Sequence, residues 1–266
     1  MYTFACNTYR DLPQLSLSIS ELRRCYPTER ILIISDGDTD PRLPGLAAEF
    51  SADFIAGERL YTLDCGGEIV LRLFSAFLAG AGDILVKFDT DTRFFRPFSI
   101  PPPGDASGCI WGAYGFRYIQ GGCRLLTREC VKEIVNSDLL SGRRYRELSS
   151  WCPPVAEDFY KATGKVSEDF ITREVLLELE IDICDHPEVF SAGNVKRWRA
   201  MDPQTLKRVI NTGRRFAVTH PWKLMDLKWA AHFAPLLSAA LGSVTCDVMA
   251  LEDIDCLGTD TSLAPG

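Results

Sequence analysis

ILVKFDTDTR, at residues 84–93, is the stretch of the sequence on which the fold prediction depends. Ile84 to Phe88 has the apolar character of a buried strand, and Asp89 and Asp91 follow it directly. Residues i and i+2 of an extended chain point the same way, so both carboxylates can face one point beyond the strand. Because like charges this close repel unless a cation separates them, the stretch predicts Mg²⁺ or Mn²⁺ holding a phosphorylated ligand.

Strands and helices alternate before this segment. Strands are predicted at Tyr2–Cys6 and Ile31–Ile34, and the helix between them carries apolar residues at helical spacing up to Arg24. A strand, a helix and a second strand form a βαβ unit, whose right-handed crossover gives parallel strands with helices on both faces. The sequence therefore predicts an α/β fold with a mostly parallel central sheet flanked by helices.

Each of these strands is followed by a polar residue. Asn7 follows the first strand, Asp36 the second, and Asp89 and Asp91 the strand at residues 84–88. Ligands of open parallel sheets bind at the carboxyl ends of the strands. We therefore expect these four side chains to lie around one ligand site.

The composition is that of an ordinary globular protein. Of 266 residues, 46% are hydrophobic and 24% are charged. The formal net charge of −7 argues against a nucleic-acid partner, because no large basic surface would offset the phosphates. Neither a signal peptide nor a transmembrane segment is predicted, so we expect a cytoplasmic protein. The ten cysteines are scattered without a CxxC pair and are expected to be reduced.

Five motifs occur in an order that resembles the GT-A glycosyltransferases, which move a sugar from a nucleotide diphosphate to an acceptor. They are an acidic turn at residues 35–40, the DTD motif at 89–91, QGG at 120–122, the acid pair at 168–169 and a late histidine, His220. The resemblance covers most of residues 1 to about 223. It implies the Rossmann-like GT-A fold with a smaller acceptor-side region, a divalent metal and a nucleotide-sugar donor. A UDP-sugar is the first choice for this donor.

The resemblance implies a metal centre and a general base. Asp89, Asp91 and His220 would be the ligands of Mn²⁺ or Mg²⁺, with Asp89 nearer the ribose or a metal-bound water. The acceptor hydroxyl must lose a proton as it attacks, and a carboxylate opposite the leaving group can accept it. Asp169 is the first choice for this base and Glu168 the second, in an inverting reaction.

The resemblance also implies a donor side and an acceptor side. The donor-side residues are Asn7, Asp36, Arg72, Asp89 and Lys223. The acceptor-side residues are Trp111, Gln120, Gly121, Gly122 and Trp151. The acceptor would be a carbohydrate or a glycosylated or lipid-linked molecule, and the sequence leaves open peripheral contact with a membrane or with a second subunit.

Pro101–Gly104 is predicted to divide the two halves of one domain. Residues 1–100 would form the nucleotide-sugar-binding half and residues 101–223 the acceptor-binding and catalytic half. Residues 224–266 would form a C-terminal helix and tail.

Other interpretations of the same residues remain open in the sequence. The reaction could retain configuration, since the run HPWK at 220–223 resembles a region of some retaining families. An apolar strand followed by DTD also resembles the nucleophile motif of the haloacid-dehalogenase-type phosphatases, in which Asp89 would be the nucleophile. A non-catalytic sugar-nucleotide-binding module is a third alternative. Glu168 and Asp169 also suit a helix N-terminus, and Gly121 and Gly122 suit a turn.

Overall fold

The computed structural model describes residues 1–61, 65–113, 116–147, 167–191 and 215–220. The chain divides into two compact units, Met1–Leu224 and Met225–Gly266, and the second lies wholly outside the described residues. The predicted C-terminal helix therefore also lies outside them. Within the described ranges, no helix combines the length and the apolar character that a membrane span requires.

The described residues form ten strands and five α-helices around a central sheet. The strands are β1 (Tyr2–Thr8), β2 (Arg30–Ser35), β3 (Asp53–Ile55), β4 (Ile84–Phe88), β5 (Arg93–Phe94), β6 (Ala106–Ala113), β7 (Phe116–Thr127), β8 (Ile183–Asp185), β9 (Val189–Ser191) and β10 (Val218–His220). The helices are α1 (Leu12–Cys25), α2 (Arg42–Glu49), α3 (Gly66–Leu78), α4 (Arg128–Asn136) and α5 (Glu168–Glu178), with a 3₁₀ helix at Ser141–Glu147.

The central sheet has the strand order β3-β2-β1-β4-β7-β6-β8. The first four strands are parallel, as predicted, so the carboxyl ends of β1, β2 and β4 lie at one edge. β7 runs antiparallel between β4 and β6, with Phe88 opposite Cys123. Because β7 is longer than β4, its residues before Cys123 lie beyond the end of β4. A small second sheet, β5-β10-β9, packs beside this edge.

Apolar side chains cover both faces of the sheet, as predicted for a parallel α/β fold. Leu85 of β4 lies in one buried cluster with Phe77 and residues of α3, α4 and α5. The next residue, Val86, lies in the opposite cluster with Leu15 and residues of α1 and α2. Each such side chain contributes roughly 1.5–3 kcal/mol through burial. This two-sided core fixes the strands whose ends carry the polar residues.

Two local predictions have different outcomes. The sequence also predicts that Thr127, a residue type favoured at helix N-caps, caps a helix. Its hydroxyl accepts a hydrogen bond from the backbone N–H of Cys130 at 3.3 Å, at the start of α4, so this prediction is confirmed. The alternative of a turn at Gly121 and Gly122 is wrong, because both residues lie inside β7. The antiparallel pairing of β7 with β4 makes this stretch extended. The seven cysteines in the described ranges are free.

Candidate active site

A cavity of about 470 Å³ opens at the carboxyl ends of the parallel strands. Its wall comes from the carboxyl ends of β1 and β4, from the residues after β1, β2 and β4, from Arg59 after β3, from Ile69 of α3 and from the start of α5. Six residues that the sequence predicted for the site line it: Asn7, Asp36, Asp89, Asp91, Glu168 and Asp169. The strand-end residues therefore converge as the parallel-sheet rule predicts.

Asp89, Asp91 and His220 form a candidate metal centre. One ligand atom from each residue lies within 4.8 Å of the other two. His220 Nε2 is 3.3 Å from Asp89 Oδ2 and 3.1 Å from Asp91 Oδ1. The two acids belong to the turn after β4, whereas the histidine ends β10, so the small second sheet brings it to this point.

The chemistry of this cluster fits a cation. Burial alone would lower the pKa of His220, but hydrogen bonds to Asp89 and Asp91 and their negative charge raise the pKa to about 9. The protonated imidazole is therefore the counter-ion of the two carboxylates at neutral pH. Asp91 Oδ2 is buried and has no hydrogen-bond partner among the described residues. A buried carboxylate oxygen without a donor is costly, and a metal ion would satisfy it.

Lys87 lies beneath this cluster as a buried ammonium. Its Nζ donates to Asp89 Oδ1 at 2.6 Å and to the carbonyl of Gly121 at 2.8 Å, and it lies 2.5 Å from Glu168 Oε1. Burial alone would lower the pKa of Lys87, but the charges of Asp89, Glu168 and Asp169 raise it, so the ammonium stays charged. For Asp89, burial acts to raise the pKa, and Lys87 and His220 outweigh it and lower the pKa.

Arg124 is the second buried cation of the site. Its guanidinium donates to Asp169 Oδ1 at 3.0 Å and to the Thr172 hydroxyl at 2.9 Å. Burial raises the pKa of Asp169 and the charge of Arg124 opposes this, with a net shift upward. A raised pKa makes the carboxylate a stronger base. Both acids at the start of α5 are thus held by cations from the sheet.

Gly121 and Gly122 have a packing reason to be glycines. A Cβ atom on Gly121 would lie 2.0 Å from Asp169 Oδ1, and one on Gly122 would lie 2.0 Å from the His220 ring. Any larger residue would displace one of these two side chains. In this structure the space above the glycines is taken by the protein's own site residues.

The turn that carries the two aspartates is fixed from both sides. The Ser18 hydroxyl on α1 lies 2.6 Å from the carbonyl of Thr90 and 2.5 Å from that of Thr92. From β7, the carbonyl of Gly122 accepts from the Thr92 hydroxyl at 2.5 Å and from the backbone N–H of Asp89 at 3.2 Å. These contacts hold the backbone of the ligand turn in one conformation.

Asp36 is engaged by arginines. Its carboxylate accepts from Arg59 at 2.7 Å, from Arg72 at 3.0 Å and from the backbone N–H of Leu60 at 2.9 Å. The guanidinium of Arg59 also stacks on Tyr9, 3.3 Å from the ring centroid. Asp36 therefore holds the guanidinium of Arg59 at the cavity, where it can meet an anionic ligand. Arg72, a predicted donor-side residue, pairs with Asp36 but is not among the described residues that line the cavity.

Asn7 presents an unused amide to the cavity. Neither its Oδ1 nor its Nδ2 has a hydrogen-bond partner within the described part of the chain, although both atoms are buried. Buried polar atoms are normally paired, so this amide is suited to a polar ligand group.

Four predicted site residues stand apart from this arrangement. Trp111 in β6 and Gln120 in β7 are not among the described residues that line the cavity, and the Gln120 side chain accepts from the backbone N–H of Gly122. Trp151 and Lys223 lie outside the described residues.

Sequence reasoning missed the cations Lys87, Arg124 and Arg59, and also Tyr9. For the first two a signal was present, because a charged residue inside an apolar strand must find a buried partner.

Comparisons with known proteins identify the fold. No protein-family model matches the sequence, and no curated protein sequence matches it. Solved structures do match. An active-site mutant of LgtC has a TM-score of 0.53 and 14% identity, over 90% of this chain and 95% of that one. The galactosyltransferase LgtC in complex with donor and acceptor sugar analogs has a TM-score of 0.50 and 14% identity, over 92% and 96%. The predicted GT-A fold is confirmed.

Proposed function

We propose that the chain is a metal-dependent glycosyltransferase that moves a sugar from a nucleotide diphosphate sugar, UDP-sugar first, to an acceptor hydroxyl. The observation that carries the proposal is the meeting of Asp89, Asp91 and His220 beside a cavity at the carboxyl ends of parallel strands. The fold shared with LgtC, a galactosyltransferase, supports the same class of reaction.

The residues that would hold Mn²⁺ or Mg²⁺ are Asp91, His220 and one oxygen of Asp89. Carboxylate and imidazole ligands together suit Mn²⁺. When bound, such a cation stabilises the negative charge that develops on the leaving diphosphate. The His220 imidazole must give up its proton to serve as a ligand, while Asp91 already offers an unpaired oxygen.

Groups near the cavity suit a nucleotide diphosphate. The Asn7 amide has free donor and acceptor atoms for a base or ribose. Arg59 and Arg72, oriented by Asp36, supply positive charge for phosphate oxygens. Lys223, from the family resemblance, would be a further donor-side cation.

Asp169 is the proposed base, and Glu168 is the weaker candidate. Asp169 lines the cavity, and burial raises its pKa, so it can accept the proton of an acceptor hydroxyl. Glu168 also lines the cavity and is ion-paired with the ammonium of Lys87 at 2.5 Å. A single displacement with this base would invert the anomeric configuration, and the product anomer distinguishes it from the retaining alternative. Gly121 and Trp151 remain acceptor-side predictions, as do Gly122, Trp111 and Gln120.

The phosphatase alternative finds less support. It requires a later strand that ends in paired acids, whereas Glu168 and Asp169 begin α5. Labelling of Asp89 by BeF₃⁻, with no affinity for nucleotide sugars, would favour the phosphatase instead. A non-catalytic binding module would bind nucleotide sugars and show no turnover.

A thermal-shift screen tests the proposal. Nucleoside diphosphates and nucleotide sugars are added with and without Mn²⁺, and the melting temperature is measured. We expect Mn²⁺-dependent stabilisation by one nucleotide class, because a ligand that binds only the folded state stabilises it. No stabilisation by any of them would overturn the proposal. Transfer from the stabilising donor to candidate acceptors then tests turnover.

A further inference from the structure

The buried ammonium of Lys87 contacts three oxygen atoms of the site. Its Nζ donates hydrogen bonds to Asp89 Oδ1 at 2.6 Å and to the Gly121 carbonyl at 2.8 Å, and it forms an ion pair with Glu168 Oε1 at 2.5 Å. Lys87 is only 5% exposed. Each of these contacts is made to a residue at the site: a candidate metal ligand, a glycine of β7 and an acid of α5.

The contact with Lys87 makes the two oxygens of the Asp89 carboxylate inequivalent. Oδ1 faces Lys87, and Oδ2 faces His220 in the candidate metal centre. A carboxylate without such a partner could rotate about its Cβ–Cγ bond and present either oxygen or both. Lys87 therefore selects which oxygen of Asp89 is offered to a cation.

We propose that Lys87 is a positioning residue that holds Asp89 as a monodentate metal ligand. Through its ion pair with Glu168, it also joins the turn that carries Asp89 to the start of α5. This inference rests on the proposed function, because it takes Asp89, Asp91 and His220 as the metal site. Asp169 follows Glu168 directly, so the same ammonium also sets the position of the proposed base relative to the metal centre.

Charge and positioning predict opposite effects on metal binding. A buried positive charge beside the site repels a divalent cation, so removing the charge alone would strengthen metal binding. Loss of a group that orients a metal ligand instead weakens binding by about 10–100-fold. The sign of the change therefore distinguishes the two roles.

Arg124 provides a matched control. It lies directly opposite Lys87 on the neighbouring strand, it is also buried, and it pairs with Asp169 and Thr172. None of its hydrogen bonds within the described residues goes to the three candidate metal ligands. Arg124→Met removes the same charge from the same part of the sheet without releasing Asp89.

The experiment measures Mn²⁺ affinity of the full chain without any donor, by calorimetry and by electron paramagnetic resonance of free Mn²⁺. Lys87→Met is expected to bind Mn²⁺ about 10–100-fold more weakly than the wild type. Arg124→Met is expected to bind as tightly as the wild type or more tightly. Circular dichroism first establishes which variants are folded. If a Met variant is not folded, Lys87→Gln and Arg124→Gln are compared instead. The affinity for Mn²⁺ is then expected to fall by about tenfold in Lys87→Gln and not to fall in Arg124→Gln.

The outcomes separate this inference from the function on which it rests. Unchanged or tighter Mn²⁺ binding by Lys87→Met, with a wild type that binds Mn²⁺, would overturn the role of Lys87 alone. Equal weakening in both variants would also overturn it, because Arg124 does not hold a metal ligand. A wild type that bound no Mn²⁺ would overturn both the metal centre of the proposed function and this inference.

Discussion

Lys87 and Arg124 lie directly opposite one another on the antiparallel strands β4 and β7, and each pairs with one of two consecutive acids. Lys87 pairs with Glu168 and Arg124 with Asp169, at the first turn of α5. Helix N-termini already favour negative charge, and the two cations add to this preference. The sheet thereby fixes the end of the helix that faces the cavity.

Removal of Arg124 should destabilise the protein strongly. Arg124→Met leaves the partly buried carboxylate of Asp169 without its cation; breaking a fully buried ion pair costs about 3–5 kcal/mol, so the loss here should approach that range from below. Urea denaturation measures the change in the free energy of unfolding. Lys132→Met is the control, since its exposed pair with Glu129 should contribute less than about 1 kcal/mol. Similar losses in both variants would contradict the importance of the buried pair.

Asp91 should be essential for metal binding. Asp91→Asn is expected to weaken Mn²⁺ binding by about 100-fold or more, because loss of a group that merely orients a ligand already costs 10–100-fold. Calorimetry with Mn²⁺ gives the affinity. Asp53→Asn, which alters an exposed acid paired with Arg30, should leave the affinity unchanged. The metal centre is wrongly placed if Asp91→Asn binds Mn²⁺ like the wild type.

The two glycines of β7 should have separable effects. Gly122→Ala would push against the His220 ring and weaken Mn²⁺ binding, whereas Gly121→Ala would push against Asp169 and lower turnover with Mn²⁺ binding kept. Overpacking of this kind costs about 1–3 kcal/mol of stability. Gly45→Ala is the control, because its new methyl group meets nothing within 4 Å in α2 and should stabilise by about 0.5–1 kcal/mol. Identical behaviour of all three variants would refute the packing explanation.

Asp169→Asn should lower turnover by about 10²–10⁴-fold, because the amide cannot accept the proton of the acceptor. Mn²⁺ binding should be kept, since Asp169 is not a metal ligand. With a donor identified, NMR of the wild-type product should show the anomeric configuration inverted relative to the donor. A retained configuration, or full activity of Asp169→Asn, would exclude Asp169 as the base of an inverting reaction.

Glu188 should make stability depend on pH in acid. Burial alone would raise the pKa of Glu188, but hydrogen bonds from Ser99, Arg96 and Ile100 lower it from its ordinary value of 4.5 to about 2. Its folded pKa lies below the unfolded one, so its contribution is complete above about pH 4.5 and is lost as the pH falls towards 2.

Glu188→Gln should remove this part of the pH dependence and lower stability at pH 7 by about 1.5–3 kcal/mol, because the charged acceptor of these hydrogen bonds is lost while Arg96, which is 40% exposed, can be solvated. Urea denaturation at several pH values between 2 and 7 compares the two proteins. A variant with the same acid profile as the wild type would show that other groups cause the loss of stability.

Local signals in the sequence predicted much of the fold. The change from apolar to acidic residues gave the bounds of β4, Ile84–Phe88, and the hydroxyl of Thr127 marked the start of α4. Periodicity of two or of 3.6 residues depends only on neighbours in the chain. The resemblance of motif order added Asp89, Asp91 and His220 as one cluster, which the structure brings together.

The pairing of charges could not be predicted in the same way. The partners of Lys87 depend on the antiparallel register of β7 and on the position of α5, and neither is encoded near residue 87. The same register places Gly121 and Gly122 in an extended strand. The sequence alone was equally compatible with a turn at these two glycines. The strands β5, β8 and β9 are only two or three residues long, and such short strands carry too few residues for a periodic signal.

The Ser18 hydroxyl, which spans the carbonyls of Thr90 and Thr92, has a consequence for the entropy of binding. Fixing the backbone of one residue costs about 1–2 kcal/mol in lost conformational freedom. Because α1 and β7 already hold this turn, that freedom is lost when the chain folds. A cation that arrives later meets carboxylates already in place, so its affinity is not reduced by having to order them.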